Sequence, residues 1–289
     1  MKLGRIRVPE RALPTVALAC DGALYDVALL EQSFGLAGAG GDFFERVIAS
    51  RAAGLDSLEA RLLSGRRPTA ARLPDDGALL LPPCDPSRAS HVQLAPRALS
   101  AGGPGFRMRD ARAFLGSGQP ALVASSGALA EVGLAVVLGD DLEQASAIEA
   151  ERAVVGYTLI VDWVLPGDWE RAAPPTPAQL GPYLVTTPGP LRLDELRLVI
   201  EAEGRRVETC AFEGGEHDPG ELVAYVSHHV SLRAGDVLGL GAPTNARLAR
   251  PRDGRVAVTL PRVMTLSAWS VEASLEERWR RPAGSRRRL

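Results

Sequence analysis

The chain has 289 residues, 46% hydrophobic and 24% charged, with a formal net charge of -2. That is the profile of an ordinary globular protein with room for one large core. A charge so near zero excludes a nucleic-acid footprint over the whole surface, and the lack of any long apolar run excludes a membrane-spanning helix. With no apolar leader in MKLGRIRVPERALP either, the expected location is the cytoplasm.

Residues 3 to 30 alternate short apolar runs with turn signals, and Asp21-Gly22 between VALAC and ALYDV marks a β-hairpin. Residues 42 to 64 carry helical spacing in two pieces. Phe43, Val47 and Ile48 share one face, and Leu58, Leu62 and Leu63 share another. Residues 1 to 70 are thus read as a small N-terminal β/α unit, followed over 71 to 88 by a linker rich in Pro, Gly and charge.

From 89 to 272 the pattern is mostly strands: HVQLA, PALVA, LAEVGLAVVL, GYTLIVDWVL, LRLVIEA, RRVETCAF, VLGLG and VAVTL. Two helices interrupt them. Ser146 and Glu149 form a capping box before the first. The second lies in DPGELVAYVSHHV, with Pro219 in its first turn and Leu222, Val223 and Val226 on one face. Residues 273 to 289 form a basic, solvated tail. The fold class is α+β, mostly β, built on a large and mainly antiparallel curled sheet.

Several motifs fail on spacing. GLAGAGG is not a dinucleotide loop, GSG at 116 to 118 is not a nucleophile elbow, and Asp140, Asp141 and Glu143 resemble a calcium loop only superficially. Cys20, Cys84 and Cys210 form no C-x-x-C pair and read as buried reduced thiols. Lys2 is the one lysine among 33 basic residues, so no lysine later in the chain acts as a Schiff base or general base.

EVGLAVVLGDD, from residue 131, reads as a buried strand closed by a turn, with Glu131 at its mouth. An ionised carboxylate there needs a cation or strong hydrogen-bond donors to offset its desolvation.

Seven segments taken in order carry a more specific signal. They are DPSRASHVQLAPRA, FRMRDARAFLGSGQPALV, LAEVGLAVVLGDD, ERAVVGYTLIVDW, QLGPYLVT, EAEGRRVET and GELVAYVSHHVSLRAGDVLGLGAPTN. Together they resemble the fumarylacetoacetate hydrolase family, and the N-terminal hairpin resembles the small β unit preceding its catalytic domain.

The resemblance implies a mixed β-sandwich or β-roll and a homodimer. It also implies a divalent cation (Mg, Ca or Mn) held by two glutamates at i and i+2 and an aspartate, where it chelates the oxygens of an oxo acid or diketone. Alternate strand residues share a face, and hard oxygen ligands suit such ions. Glu131 matches the first glutamate and Asp162 the aspartate, but Gly133 stands where the second glutamate belongs. Any metal is therefore expected to bind weakly or not at all. Asp140 and Asp141, more than about 20 Å away along the strand, cannot substitute.

Other family groups are replaced too. Ala172, beside Arg171, stands near the family's lysine; Ala95-Pro96-Arg97 replaces its Asn-Tyr; Leu240-Gly241-Ala242-Pro243 replaces its T-G-T-P loop. Arg109, aligned with another lysine, either lines the pocket and binds an anion or forms a surface ion pair. His228 and His229 end a helix, capping carbonyls or taking part in catalysis, while His91 reads as structural.

The expected protein is an enzyme of the family fold without its usual hydrolytic mechanism. It acts on an enolisable carbonyl-containing small molecule by proton transfer, as in isomerisation, hydration, decarboxylation or cyclisation, in a setting of specialised metabolism. Glu131, Asp162, His228 and Arg109 form the catalytic set. Trp163, Trp169, Arg171, Tyr157 and Ala242 line the pocket, with Trp269 nearby. Glu131 and Asp162 either have raised pKa values and exchange protons or pair with arginines and merely join strands. The alternatives are an ordinary metal-dependent C–C hydrolase and a non-catalytic binding protein.

Overall fold

The computed structural model describes residues 1–272 apart from 10, 37–40, 52–53, 75–77, 95–104, 124–126, 167–175, 187–191, 194–195, 212–217, 242 and 244–245. Strands β1 (Lys2–Arg7), β2 (Thr15–Cys20) and β3 (Ala23–Asp26) form an antiparallel meander. Its β2–β3 turn has Asp21 at φ 48° and Gly22 at φ 75°, the paired left-handed conformation that a two-residue hairpin demands and Asp-Gly tolerates. Asp26 then caps helix α1 (Val27–Ser33), its side chain accepting the Leu29 N–H at 3.1 Å.

Helices α2 (Phe43–Arg51) and α3 (Gly54–Leu63) follow, burying Phe43, Val47, Leu58 and Leu62. Leu63 departs from expectation and is 62% exposed. It lies five residues beyond Leu58, roughly 140° round the helix from it, and so points away from the packed face.

Strand β4 (Leu79–Leu81) pairs with β1, and β5 (Ser90–Leu94) pairs antiparallel with β6 (Phe106–Asp110). After the short β7 (Phe114–Leu115) and β8 (Pro120–Val123) come the two longest strands, β9 (Leu129–Leu138) and β10 (Val154–Val164). Between them lies α4 (Ala147–Ala153), opened by the expected Ser146–Glu149 capping box. Strands β11 (Ala178–Leu180), β12 (Leu184–Val185), β13 (Arg197–Ala202) and β14 (Arg205–Ala211) precede α5 (Pro219–Ser227), which is capped by Asp218. The remaining strands are β15 (Val237–Gly239), β16 (Arg247–Ala249), β17 (Arg255–Leu260) and β18 (Met264–Glu272).

Among the described residues thirteen strands make one sheet, its main path β3-β2-β1-β12-β10-β9-β15-β5-β6, and five make a second, β14-β13-β17-β18-β8. The β9–β10 pair is the hinge of the architecture because it is buried on both faces, which is why each strand reads as a nearly continuous apolar run. Val132, Leu134, Val136, Leu159, Val161 and Trp163 face the second sheet, α4 and α5 in the main core. Ala135, Val137 and Ile160 face a second core closed by α1, α2 and α3. The result is a mixed β-sandwich with helices contributing to both cores, of the expected α+β class.

Cys20 and Cys84 are buried free thiols; the Cys210 side chain lies outside the described residues. Asp141 accepts hydrogen bonds from Arg233 Nη1 at 2.9 Å and the Ala234 N–H at 2.8 Å, so the GDD turn is pinned by protein donors. Among the described residues no helix is long and apolar enough to cross a membrane.

Candidate active site

The site begins with strand register. Arg247, Glu131, Asp162 and Ala178 are successive cross-strand partners on β16, β9, β10 and β11. Directly paired residues on neighbouring strands share a face, so both carboxylates emerge on the same side as Gly133 and Ile160. A second pair of strands meets them there. His91 pairs with Arg109, and Gln93 with Arg107; the two-residue period then puts all four side chains on one face of β5–β6.

The result is a buried polar cluster. Arg109, its side chain 5% exposed, donates from Nη1 to Asp162 Oδ1 at 2.8 Å and to Gln93 Oε1 at 2.8 Å. Its Nη2 donates to Thr176 Oγ1 at 2.6 Å and also to the Thr176 carbonyl. Gln93 is held from both ends: Oε1 also accepts Arg107 Nε at 2.9 Å, and Nε2 donates to Glu131 Oε2 at 3.2 Å. That pattern fixes which end of the amide is oxygen.

Glu131 is less well satisfied. Arg247 Nε lies 3.1 Å from Oε1, close enough for an ion pair but not aligned as a hydrogen bond, and among the described residues that buried oxygen has no hydrogen-bond partner. Burial first, and the nearby Asp162 charge second, push its pKa up to about 7 against the pull of Arg247, Arg107 and Arg109. His91 Nε2 is 3.9 Å from Asp162 Oδ2, too far to hydrogen-bond, and is likewise buried without a partner among the described residues. Its burial outweighs the Asp162 charge and, with Arg109 and Arg107, holds its pKa down to about 4; the imidazole is neutral at neutral pH.

Sequence-based expectation and geometry meet at Glu131, Asp162 and Arg109, which the fold brings together. Arg109 is a buried partner of Asp162, not a surface ion pair. Elsewhere they part. Trp163 and Tyr157 belong to the main core on the opposite face, where Trp163 is fully buried and donates from Nε1 to Gln179 Oε1 at 2.8 Å. A strand residue an odd number of places from a site residue points to the opposite face, so neither lines this cluster. His228 caps α5, is exposed, and sits on the helix that packs into that same opposite core. Trp269 stands on the second sheet beneath the Arg255 guanidinium, 5.5 Å from its ring centre. Trp169, Arg171 and Ala242 lie outside the described residues.

His91, Gln93, Arg107, Thr176 and Arg247 were not expected. Alternation in S-H-V-Q-L and F-R-M-R-D carries the signal for the first three, provided FRMRD is read as a strand. Arg247 lies in a three-residue strand with too short a pattern to reveal it.

As arranged, these residues offer a divalent cation few free oxygens. Such an ion takes about six oxygens, some of them from water; here Asp162 Oδ1 is engaged by a guanidinium, Glu131 Oε2 by an amide, and Gly133 offers no side chain. Among the described residues no three His, Cys, Asp or Glu side chains converge as a metal site.

Comparison with known proteins places the chain. Residues 86–269 match the family model described as fumarylacetoacetate (FAA) hydrolase C-terminal. A Burkholderia ambifaria protein, named a hydrolase without an established activity, is 32% identical over 124 residues, 39% of this chain and 43% of its own length. The chain therefore spans about half or less of the curated relatives it matches. Among solved structures, maleylpyruvate hydrolase from Sphingobium sp. SYK-6 in complex with manganese (II) ion and pyruvate is 19% identical with a TM-score of 0.70, covering 95% of this chain and 100% of that one. The 5-carboxymethyl-2-hydroxymuconate delta-isomerase from Mycobacterium smegmatis is 20% identical with a TM-score of 0.67 at 95% and 100% coverage. At such identities the likeness is one of fold.

Proposed function

The chain belongs to the fumarylacetoacetate hydrolase family, and we propose that within it this protein is an enzyme moving a proton on an enolisable carbonyl-bearing acid, without a tightly held metal. The observation that carries this reading is the buried Glu131 carboxyl, one oxygen of which has no hydrogen-bond partner among the described residues and lies against arginine. A carboxyl so placed is poised to accept a proton from carbon near neutral pH.

The chemistry follows from the neighbours. Glu131 takes the proton α to the substrate carbonyl, the electron pair moves to the carbonyl oxygen, and the resulting enolate is met by arginine charge. Arg247, with 40% of its side chain exposed, is the guanidinium placed to meet it. Return of the proton to another carbon of the conjugated enolate gives an isomer; an enolate formed instead by loss of carbon dioxide from a β-oxo acid, or by addition of water across a conjugated double bond, would take its proton from protonated Glu131 and give the decarboxylase and hydratase variants. Gln93 orients Glu131 throughout by donating to its second oxygen.

The fold neighbours include an isomerase and a hydrolase crystallised with pyruvate, which favours a short oxo acid as the test compound. Pyruvate and larger β-diketo acids in D2O with excess EDTA are therefore followed by proton NMR. The expected result is enzyme-dependent loss of the α-proton signal that falls by about 100-fold or more in Glu131→Gln. Exchange that is absent, or that appears only after a divalent ion is added, would overturn the reading.

A further inference from the structure

The candidate site has an open end and a closed one. At the open end Arg247 stands beside Glu131 with 40% of its side chain exposed. At the closed end His91, Gly239, Ile160 and Asp162 are all buried. Register sets Gly239 between Gln93 on β5 and Ala135 on β9, on the face that carries Glu131. A Cβ placed on Gly239 would lie 3.8 Å from His91 Nε2, 3.8 Å from Ile160 Cδ1 and 3.7 Å from the Val92 carbonyl oxygen, so the position takes a methyl-sized group without a clash. The His91 ring is wedged against Phe114, with centroids 4.7 Å apart, and its Nε2 edge faces this spot and Asp162 Oδ2. That nitrogen is buried without a hydrogen-bond partner among the described residues. We propose that the closed end receives a neutral oxygen of the substrate, as in a ketone, ester or alcohol, which accepts the His91 Nε2–H, and that it turns away a second carboxylate.

The physical reasons are charge and hydrogen bonding. His91 is buried and is the cross-strand partner of Arg109, so a charged imidazolium would face both desolvation and a like charge. It therefore offers one N–H and no net charge. Asp162 Oδ2, 3.9 Å from Nε2, attracts the N–H end of the ring and favours the tautomer with its proton there. Arg109, the cation at this end, has both terminal nitrogens committed to Asp162, Gln93 and Thr176. A carboxylate brought in would lie near that of Asp162 in a water-poor setting, where the repulsion is large. A ketone or ester gives up far less hydration and satisfies the waiting donor. This assignment of substrate class rests on the reading of the site as one for an oxo acid.

The test measures binding of α-ketoglutarate, its side-chain methyl ester, α-ketohexanoate and pyruvate to the EDTA-treated protein by ligand-observed NMR. The ester is expected to bind about 10-fold or more tightly than the diacid. It should also shift the His91 Nε2–H signal, assigned by its absence in His91→Phe or His91→Gln. In His91→Phe the ester should bind no better than α-ketohexanoate while pyruvate is unaffected. Should that variant not fold, Gly239→Ala decides: its added methyl meets only ordinary contacts and should weaken the ester by about 10-fold with pyruvate unchanged. A diacid bound as tightly as the ester, a His91 signal that the ester leaves unmoved, or an ester indifferent to Gly239→Ala would overturn this inference and leave the proton-transfer reading in place. Binding of none of these compounds would overturn both.

Discussion

Asp162 and Trp163 are neighbours in β10 and point to opposite faces of the sheet, into regions built on different terms. On the Trp163 face the packing is apolar, and the indole N–H meets Gln179 Oε1. Across the sheet, two carboxylates, one histidine and several arginines are packed together, and His91 Nε2 and Glu131 Oε1 lack hydrogen bonds among the described residues. Buried polar atoms are nearly always paired, so unpaired ones concentrated on one face cost stability there, and the proposed function is the use we assign to them. One strand pair thus supplies both the apolar core and the polar face to which we assign the chemistry.

The largest way to break the contrast is Glu131→Gln, which keeps shape and removes the titrating group. Proton exchange on an oxo acid should fall by about 10²–10⁴-fold while the fold survives in circular dichroism. Next comes Arg109→Ala, which strands the buried Asp162 charge. Denaturant unfolding should record a loss of about 3–5 kcal/mol, with much of it regained in Arg109→Ala/Asp162→Asn. On the apolar face, Leu134→Ala leaves a cavity and should cost about 2–5 kcal/mol, with no recovery from any change in the polar cluster.

The pH dependence sharpens the comparison further. Folded His91 stays neutral down to about 4 whereas the unfolded side chain binds a proton near 6.5. Its contribution is therefore complete above that upper value and lost as pH falls toward the lower one. Glu131 works the other way: folded, it keeps its proton to about 7, but unfolded it releases it near 4.5, so its contribution is greatest in acid and lost as pH rises through neutrality. Relative to wild type, His91→Asn should gain on acidification, and Glu131→Gln on passing to mild alkali, each by about 3–4 kcal/mol across its window. The smallest effect belongs to His228→Ala: stability should stay within about 0.5 kcal/mol and exchange activity should not change.

Much of this fold can be read from residues. The Asp21-Gly22 turn, the Ser146 capping box and the apolar β9 and β10 runs are local signals, and local physics decides them. The site is legible only in part because it is assembled across strands. Glu131 and Asp162 reveal themselves as charges inside apolar runs, but nothing near them announces that Arg109 arrives from β6 or that Arg247 pairs with Glu131. FRMRD alternates as a strand does, but its arginines occupy the polar positions that would ordinarily face solvent, and only the pairing with SHVQL sets Arg109 beside His91 on the buried side. Leu63 and Trp163 show the reverse error, where an apolar residue is assigned to a face without counting its angle or its parity.

The protonation of Glu131 is measured most directly by a carbon-13 NMR titration of glutamate-labelled protein, with the resonance assigned by its disappearance in Glu131→Gln. A midpoint near 7 is expected, unmoved by EDTA. A midpoint below about 5, the range of an ordinary glutamate, would mean that the arginines fully satisfy the carboxylate and that this face, like the opposite one, only holds strands together.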